Sequence, residues 1–373
     1  MSAVADRRRV RVDLAGRGYD IVIGGGLLER AGEHVMPLLG KQRRLLVVTD
    51  ETVARHQLPR LERGLAAADI ASHVLTVPAG EASKSFAELE RLLDRMLAFG
   101  LERGSLLLAL GGGVVGDLAG FAAAIALRGI DYVQIPTTLL AQFDSSVGGK
   151  TAVNMPAGKN LVGAFHQPRL VLADIDTLAS LPARERRSGY AEEAKHAAIS
   201  DRDFFAWLER QGASVIAGDQ AAQIAAVEHS CRTKARIVAA DERESGVRAL
   251  LNFGHTFGHA LEAETGFSDA LLHGEAVAIG MVLASDLSVR LGRCPAADRD
   301  RLVAHLAAVG LTTRLADIPG APFDAERLIG HMAHDKKVRD GALTFILLDG
   351  LGAASVVQEV PIAAVRDVLR SAA

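Results

Sequence analysis

Cysteine is almost missing from this chain: among 373 residues only Cys231 and Cys294 occur. Two thiols cannot build a disulfide framework, and such sparing use suits a reducing compartment. An excess of charge of one sign is missing too. Lys and Arg number 42 against 45 Asp and Glu, a net charge of −3 with the signs interspersed and no basic stripe, which argues against nucleic acid or an anionic membrane as partner. Anionic small molecules stay open. There is no long uninterrupted apolar run either. The most apolar region, 105–127, is broken by Gly111, Gly112, Gly113, Gly116 and Asp117, so it reads as a buried strand, a turn and a helix rather than a membrane span. The N-terminal MSAVADRRRVRVDL carries positive charge without the apolar core of a secretory signal, and the expectation is a cytoplasmic protein. Internal repeats and low-complexity segments are also lacking. What is present is enough apolar material, over 373 residues, for more than one ordinary core, so two domains are expected.

The first half alternates strand and helix patterns. Val10 to Leu14 and Tyr19 to Ile23 suit a hairpin closed by Gly24, Gly25 and Gly26. The run RLLVVTD at 44–50 is a buried parallel strand that delivers Thr49 and Asp50 at its carboxyl end, where ligands bind in open α/β sheets. A second strand, 72–78, leads to GEASKS, whose Glu81 and Lys84 could serve a nucleotide's ribose and phosphate or merely cap the following helix. SLLLAL at 105–110 runs into Gly111, Gly112, Gly113, Val114, Val115 and Gly116, a G-x-G-x-x-G spacing set after a strand and before a helix. There, glycines let a pyrophosphate approach backbone N–H groups. The acid that normally holds the ribose is absent, because the next strand ends in Pro136 and Thr137. PTTLLAQFDSSVGGKTAVN at 136–154, together with GKN at 158–160, reads as a loop able to present Lys150 and Lys159 to an anion.

Beyond Pro182 the pattern becomes almost wholly helical to about Ala316. Glu192 and Lys195 share a helix face there, an ordinary surface pair by spacing alone. The stretch NFGHTFGHALEAETGFSDALLHGE at 252–275 concentrates three of the chain's twelve histidines. His255 and His259 fall on one helical face, and a Gly-containing turn can bring His273 back beside them, so this is a candidate metal site.

The order PTTLLAQFDSSVGGKTAVN, GKN at 158–160, GAFHQP at 163–168, GYAEEAK at 189–195 and NFGHTFGH at 252–259 resembles the 3-dehydroquinate synthase family of sugar-phosphate cyclases, over nearly the whole chain. The resemblance implies an N-terminal Rossmann-like α/β domain that binds NAD (1–181) and a mainly helical metal- and substrate-binding domain (182–373). It implies Glu192, His255 and His273 as ligands of a divalent metal, zinc or cobalt, and moves His259 to the substrate phosphate. NAD would meet Asp50, Glu81, Lys84, Gly112, Gly113, Asp117, Thr137, Thr138, Lys150, Lys159, Thr177 and Leu181. Substrate would meet Arg128, Asp144, Lys150, Asn160, Lys195, Lys234, Arg248, Asn252, His259 and Lys336, with Lys150, Lys195, His259, Asn160 and Asp144 at the catalytic centre. Arg128 resembles an arginine that family dimers lend to the neighbouring subunit, which implies a homodimer. Glu193, Ala194 and Phe143 depart from the usual family residues beside matched positions.

The implied reaction converts a sugar-acid phosphate, 3-deoxy-D-arabino-heptulosonate 7-phosphate, to 3-dehydroquinate and phosphate. It would run by transient oxidation with NAD, phosphate elimination, re-reduction and intramolecular aldol closure, in the shikimate pathway to aromatic amino acids. Two rivals are kept: a sister cyclase whose substrate lacks a carboxylate, against which Lys234 with Arg248 speaks, and a metal-dependent NAD polyol dehydrogenase, which lacks the SSVGGKT loop.

Overall fold

The computed structural model describes residues 7–40, 44–156, 158–244, 246–334 and 343–372. The chain divides into two compact units. Residues up to Pro182 together with Gln223–Arg243 form one, and Ala183–Ala222 with the chain from Glu244 onward form the other. The division expected from the sequence put 223–243 in the second domain; these residues instead pack with the first unit.

The first unit is built on seven strands, β1 (Arg8–Val12), β2 (Tyr19–Gly24), β3 (Leu45–Asp50), β4 (His73–Val77), β5 (Leu106–Gly111), β6 (Asp131–Pro136) and β9 (Leu170–Asp174), in the order β1-β2-β9-β6-β5-β3-β4. Only the β1–β2 pair is antiparallel. The central strands are buried along their length because helices cover both faces, which is why their sequences read as unbroken apolar runs. Successive residues point to opposite faces. Leu46 and Val48 of β3 with Leu107 and Ala109 of β5 pack under the helices Phe86–Ala98 and Gly113–Ile125. Leu45 and Val47 with Leu106, Leu108 and Leu110 pack under the helix Glu51–Ala66, against Leu61 and Leu65. Each such side chain contributes about 1.5–3 kcal/mol on burial. The chain leaves β3 toward β4 on one side and returns to β5 on the other, so the carboxyl ends of β3 and β5 flank a topological switch point, the usual place for a ligand in an open α/β sheet.

Two further strands, β7 (Lys150–Met155) and β8 (Gly158–Phe165), pair antiparallel as a separate hairpin whose Val153, Val162 and Ala164 rest on the first of these cores. This stretch was expected to be loop. Its glycines and lysines hide a short alternation, Thr151 and Val153, that only the packing against the helix Gly113–Ile125 makes decisive.

The second unit is mainly helical, as expected, with one antiparallel hairpin of β10 (Leu343–Gly350) and β11 (Ala353–Val360). At its centre runs the helix His273–Arg290, buried on nearly every side from Gly274 to Ser288, with an all-round apolar composition that suits a core helix. The helix Ala183–Ser200 is buried from Ser188 to Ile199 and takes Glu192, Glu193, Lys195 and His196 inside with it. Buried charge costs stability unless it is paired or used, so this helix marks the site. Among the described residues, no helix is long and apolar enough to cross a membrane.

Candidate active site

The metal-binding candidates lie wholly in the second unit. Glycines let three helices approach closely enough to assemble them. A Cβ on Gly274 would stand 1.8 Å from the Ser188 carbonyl oxygen, and one on Gly280 would stand 2.1 Å from that of Gly254. The helix Ala183–Ser200 therefore lies backbone to backbone against the start of His273–Arg290, which in turn crosses the start of His255–Glu264. Glu192, His255 and His273 arrive together, each offering a ligand atom within 4.8 Å of the others. His255 Nε2 is 3.6 Å and His273 Nε2 3.5 Å from Glu192 Oε1.

The second ring nitrogen of each histidine is already engaged. His255 Nδ1 lies 3.2 Å from the Phe253 carbonyl and His273 Nδ1 lies 3.2 Å from Glu262 Oε2. Both partners only accept, so Nδ1 carries a proton in each ring and Nε2 is the atom left facing Glu192. With Nε2 deprotonated, two imidazoles and a carboxylate make a three-ligand divalent-metal set of the catalytic kind, and the residues fit such an ion. Desolvation works against a charged His273, yet Glu262 and Glu192 outweigh it and lift its pKa to about 10, so without an ion its Nε2 also carries a proton toward Glu192, and a divalent cation would take that proton's place. His255 is pushed well down, by burial first and the Lys195 ammonium second. Lys195 forms a short buried contact with Glu192.

His259, which spacing alone joined to His255, stands edge-on to it with ring centres 5.3 Å apart and does not join the three-ligand group. Arg248 is buried, and Asn252 donates to Glu244 Oε1 at 2.7 Å and to the Ala249 carbonyl. Lys336 lies outside the described residues. Glu262, 3% exposed, is a functional candidate that the sequence reading passed over, because its value depends on a histidine eleven residues away.

The first unit gathers the nucleotide candidates at the carboxyl ends of its strands. Asp50 Oδ1 caps the helix Glu51–Ala66, accepting from the Thr52 and Val53 N–H groups at 2.8 and 2.9 Å. Lys84 is buried and donates to Asp117 Oδ2 at 2.6 Å; burial pushes the Asp117 carboxyl up while the ammonium pulls the other way. Glu81 accepts from Asn154 at 2.7 Å. Gly112 ends the β5 turn, where a Cβ would collide with Thr138 Cγ2 at 2.8 Å, and on Gly113 it would press Ser145 Oγ at 3.2 Å. Thr49 and Thr137, at the ends of β3 and β6, each bury a hydroxyl oxygen without a hydrogen-bond partner. A glycine turn and two orphaned hydroxyls at a switch point fit a dinucleotide. Thr138 Oγ1 accepts from the Ala141 N–H at 3.2 Å. Thr177 spends its hydroxyl on the Asp174 carbonyl at 2.7 Å, and Leu181 closes the same turn with its backbone N–H.

Nearby, residues 141–145 form a wide helical turn closed by a bond from Ser146 N to the Ala141 carbonyl, five residues back. It carries Asp144, whose Oδ1 is 2.8 Å from Lys234 Nζ. Lys150 opens β7, and Lys159 and Asn160 lie on β8. Exposed Arg128 sits at φ +69° between Leu127 at +50° and Gly129 at +117°, a tight left-handed corner.

Residues 74–188 match the family model 3-dehydroquinate synthase N-terminal, and 189–338 match 3-dehydroquinate synthase C-terminal. The 3-dehydroquinate synthase of Rhodospirillum rubrum is 60% identical over 362 residues, which span 97% of this chain and 94% of that protein. Among solved structures, 2-epi-5-epi-valiolone synthase from Streptomyces hygroscopicus subsp. jinggangensis, with NAD+ and Zn2+ bound, superposes with a TM-score of 0.85 at 32% identity, covering 95% of this chain and 96% of that one. A 2-deoxy-scyllo-inosose synthase complexed with carbaglucose-6-phosphate, NAD+ and Co2+ gives 0.85 at 26% identity, covering 98% and 100%.

Proposed function

Because the chain belongs to the 3-dehydroquinate synthase family, we propose that it converts 3-deoxy-D-arabino-heptulosonate 7-phosphate to 3-dehydroquinate and phosphate, as an NAD- and divalent-metal-dependent carbon–oxygen lyase. The observation that carries this reading is the Glu192, His255 and His273 cluster, with both imidazoles fixed to present Nε2. Glu192, His255 and His273 would hold zinc or cobalt, and Asp50, Glu81, Lys84, Gly112, Gly113, Asp117, Thr137 and Thr138 would hold NAD. Bound there, the cation would polarise a substrate hydroxyl and the nicotinamide would act as a reversible hydride acceptor.

The protein's own contribution is charge and position. A substrate with a carboxylate and a phosphate needs several cations, and Lys150, Lys195, Lys234 and Arg248 are the candidates. Buried Lys234, fixed against Asp144, and buried Arg248 suit the carboxylate. Lys150 suits the phosphate, with His259, Asn160 and Asn252 as hydrogen-bonding neighbours, and Lys336 and Arg128 are assigned there as well. A departing phosphate held in this way is itself a base of the right strength, so elimination needs no further protein base. Lys195, forced against Glu192 inside the protein, is a positioned ammonium that can steady an oxygen as it gains charge. We further assign the protein to the cytoplasm, as a homodimer.

Protein stripped of metal and NAD tests the reading, with each added back singly and together. Phosphate release that needs both, without net NADH and with dehydroquinate formed, is expected. Turnover of sedoheptulose 7-phosphate in its place would move the chain to a sister cyclase, and steady NADH accumulation on a simple polyol would make it a dehydrogenase.

A further inference from the structure

Asn154 belongs to none of the sets above, yet it touches three of their members. Its Nδ2 donates to Glu81 Oε1 at 2.7 Å, its Oδ1 accepts from the Asn160 N–H at 3.0 Å, and its own N–H donates to the Lys84 carbonyl at 2.7 Å. A carboxylate can only accept and a peptide N–H can only donate, so the amide has a single workable orientation, with both ends spent. The β7–β8 register shifts between Val153 and Met155, and such a break frees the intervening residue from the regular ladder and re-aims its side chain. At the far end of this link Asn160 holds φ +57°, a left-handed conformation that asparagine adopts more readily than most residues and that the bond from its N–H to Asn154 helps to fix. Lys84 in turn grips Asp117 at 2.6 Å.

We infer that Asn154 is a positioning residue that couples cofactor binding to substrate binding, by linking the Glu81–Lys84 turn to the left-handed backbone at Asn160. The inference rests on the functional reading above, which gives Glu81 and Lys84 to NAD and Asn160 to the substrate. A ligand hydroxyl engaging Glu81 fixes that carboxylate, the carboxylate fixes the Asn154 amide, and the amide holds the Asn160 N–H in place. Whichever ligand binds first orders the shared segment, and the second then binds to a part already ordered. The effect is reciprocal: each ligand tightens the other by the same factor, about fivefold or more for a coupling of ordinary size.

The test uses the metal-loaded full chain, NAD+ and the phosphonate analogue of the heptulosonate phosphate, which cannot release phosphate. Calorimetric titration gives the NAD+ affinity with and without saturating phosphonate, and the reverse. The wild type is expected to show equal coupling in both directions. In Asn154→Ala the coupling falls to about one, while each ligand still binds alone. Asn154→Asp keeps the acceptor for the Asn160 N–H but sets a carboxylate against Glu81, so it is expected to lose the coupling and hold phosphonate affinity within about twofold. Coupling retained in either folded variant, or absent from a wild type that binds both ligands, overturns the inference alone. A wild type that binds neither ligand overturns the functional reading and the inference with it.

Discussion

Removal of the Glu262 carboxylate is expected to weaken metal binding strongly. That carboxylate is 3% exposed and faces His273 Nδ1 at 3.2 Å, so it fixes the tautomer and the ring angle that aim Nε2 at Glu192. A hydrogen bond to a charged group contributes about 1.5–3 kcal/mol. At about 1.4 kcal/mol per decade, Glu262→Ala should weaken metal affinity by about 10- to 100-fold, in keeping with other carboxylates that back a ligating histidine. Glu262→Gln retains an acceptor and loses only the charge, so about tenfold or less is expected. The assay is competition for Zn2+ between metal-free protein and a chromophoric chelator at fixed pH, with the Co2+ visible spectrum as a second readout of ligand geometry. An affinity in folded Glu262→Ala within about twofold of the wild type would refute the argument, because the ring would then be shown to hold its aim without the carboxylate.

Three more outcomes follow from burial. His305 is 4% exposed, hydrogen-bonded to the Tyr190 hydroxyl at 3.0 Å, and pushed by burial from 6.5 to about 4. The unfolded chain therefore takes up this proton first as pH falls, and the stabilisation present above pH 6.5 is lost toward pH 4. Between pH 7 and 5 the loss is about 2 kcal/mol, so urea midpoints of wild type and His305→Gln should converge or cross over that interval. Parallel pH profiles would contradict it. Gly274→Ala places a Cβ 1.8 Å from the Ser188 carbonyl oxygen, so a loss of about 1–3 kcal/mol is expected, with weaker Zn2+ binding because Glu192 and His273 are spread apart. An unchanged melting temperature would show that the helices part freely. Asp117→Asn strands the buried Lys84 ammonium and should cost about 3 kcal/mol, whereas Lys84→Met with Asp117→Leu should recover most of it; a double variant no better than the single would show that the pair matters for more than its charges.

How much of this could be read in advance varies with the range of the interaction. The strands Leu45–Asp50 and Leu106–Gly111 were plain, since burial on both faces demands a short apolar run of this kind. The histidine-rich stretch was equally plain as chemistry. Its candidate ligand set was not, because helical spacing favours His255 with His259, while Glu192 reaches the cluster from a helix more than 60 residues earlier, across contacts that Gly274 and Gly280 permit. Family resemblance supplied that set, which periodicity could not. The β7–β8 hairpin was missed for a related reason: its strand character comes from the helix beneath it rather than from its own residues.

The assignment of 223–243 shows the same limit in its sharpest form. By periodicity these residues are one more helix in a helical region, and Gln220–Ala240 is indeed a single helix. What ties them to the first unit is the wide turn at 141–145. A turn closed five residues back disrupts the regular pairing of the carbonyls inside it, and three consecutive ones accept from one face of this helix: Cys231 Sγ donates to the Gln142 carbonyl at 3.4 Å, Ser230 Oγ to that of Phe143 at 3.0 Å, and Lys234 Nζ to that of Asp144 at 2.6 Å, which also takes the Val147 N–H. Positions 230, 231 and 234 share a face only because the segment is helical. The periodicity was therefore read correctly, and it was silent about the partner. The carbonyls of such a turn leave no trace in composition, so what draws this helix to the first unit becomes visible only when both segments are folded.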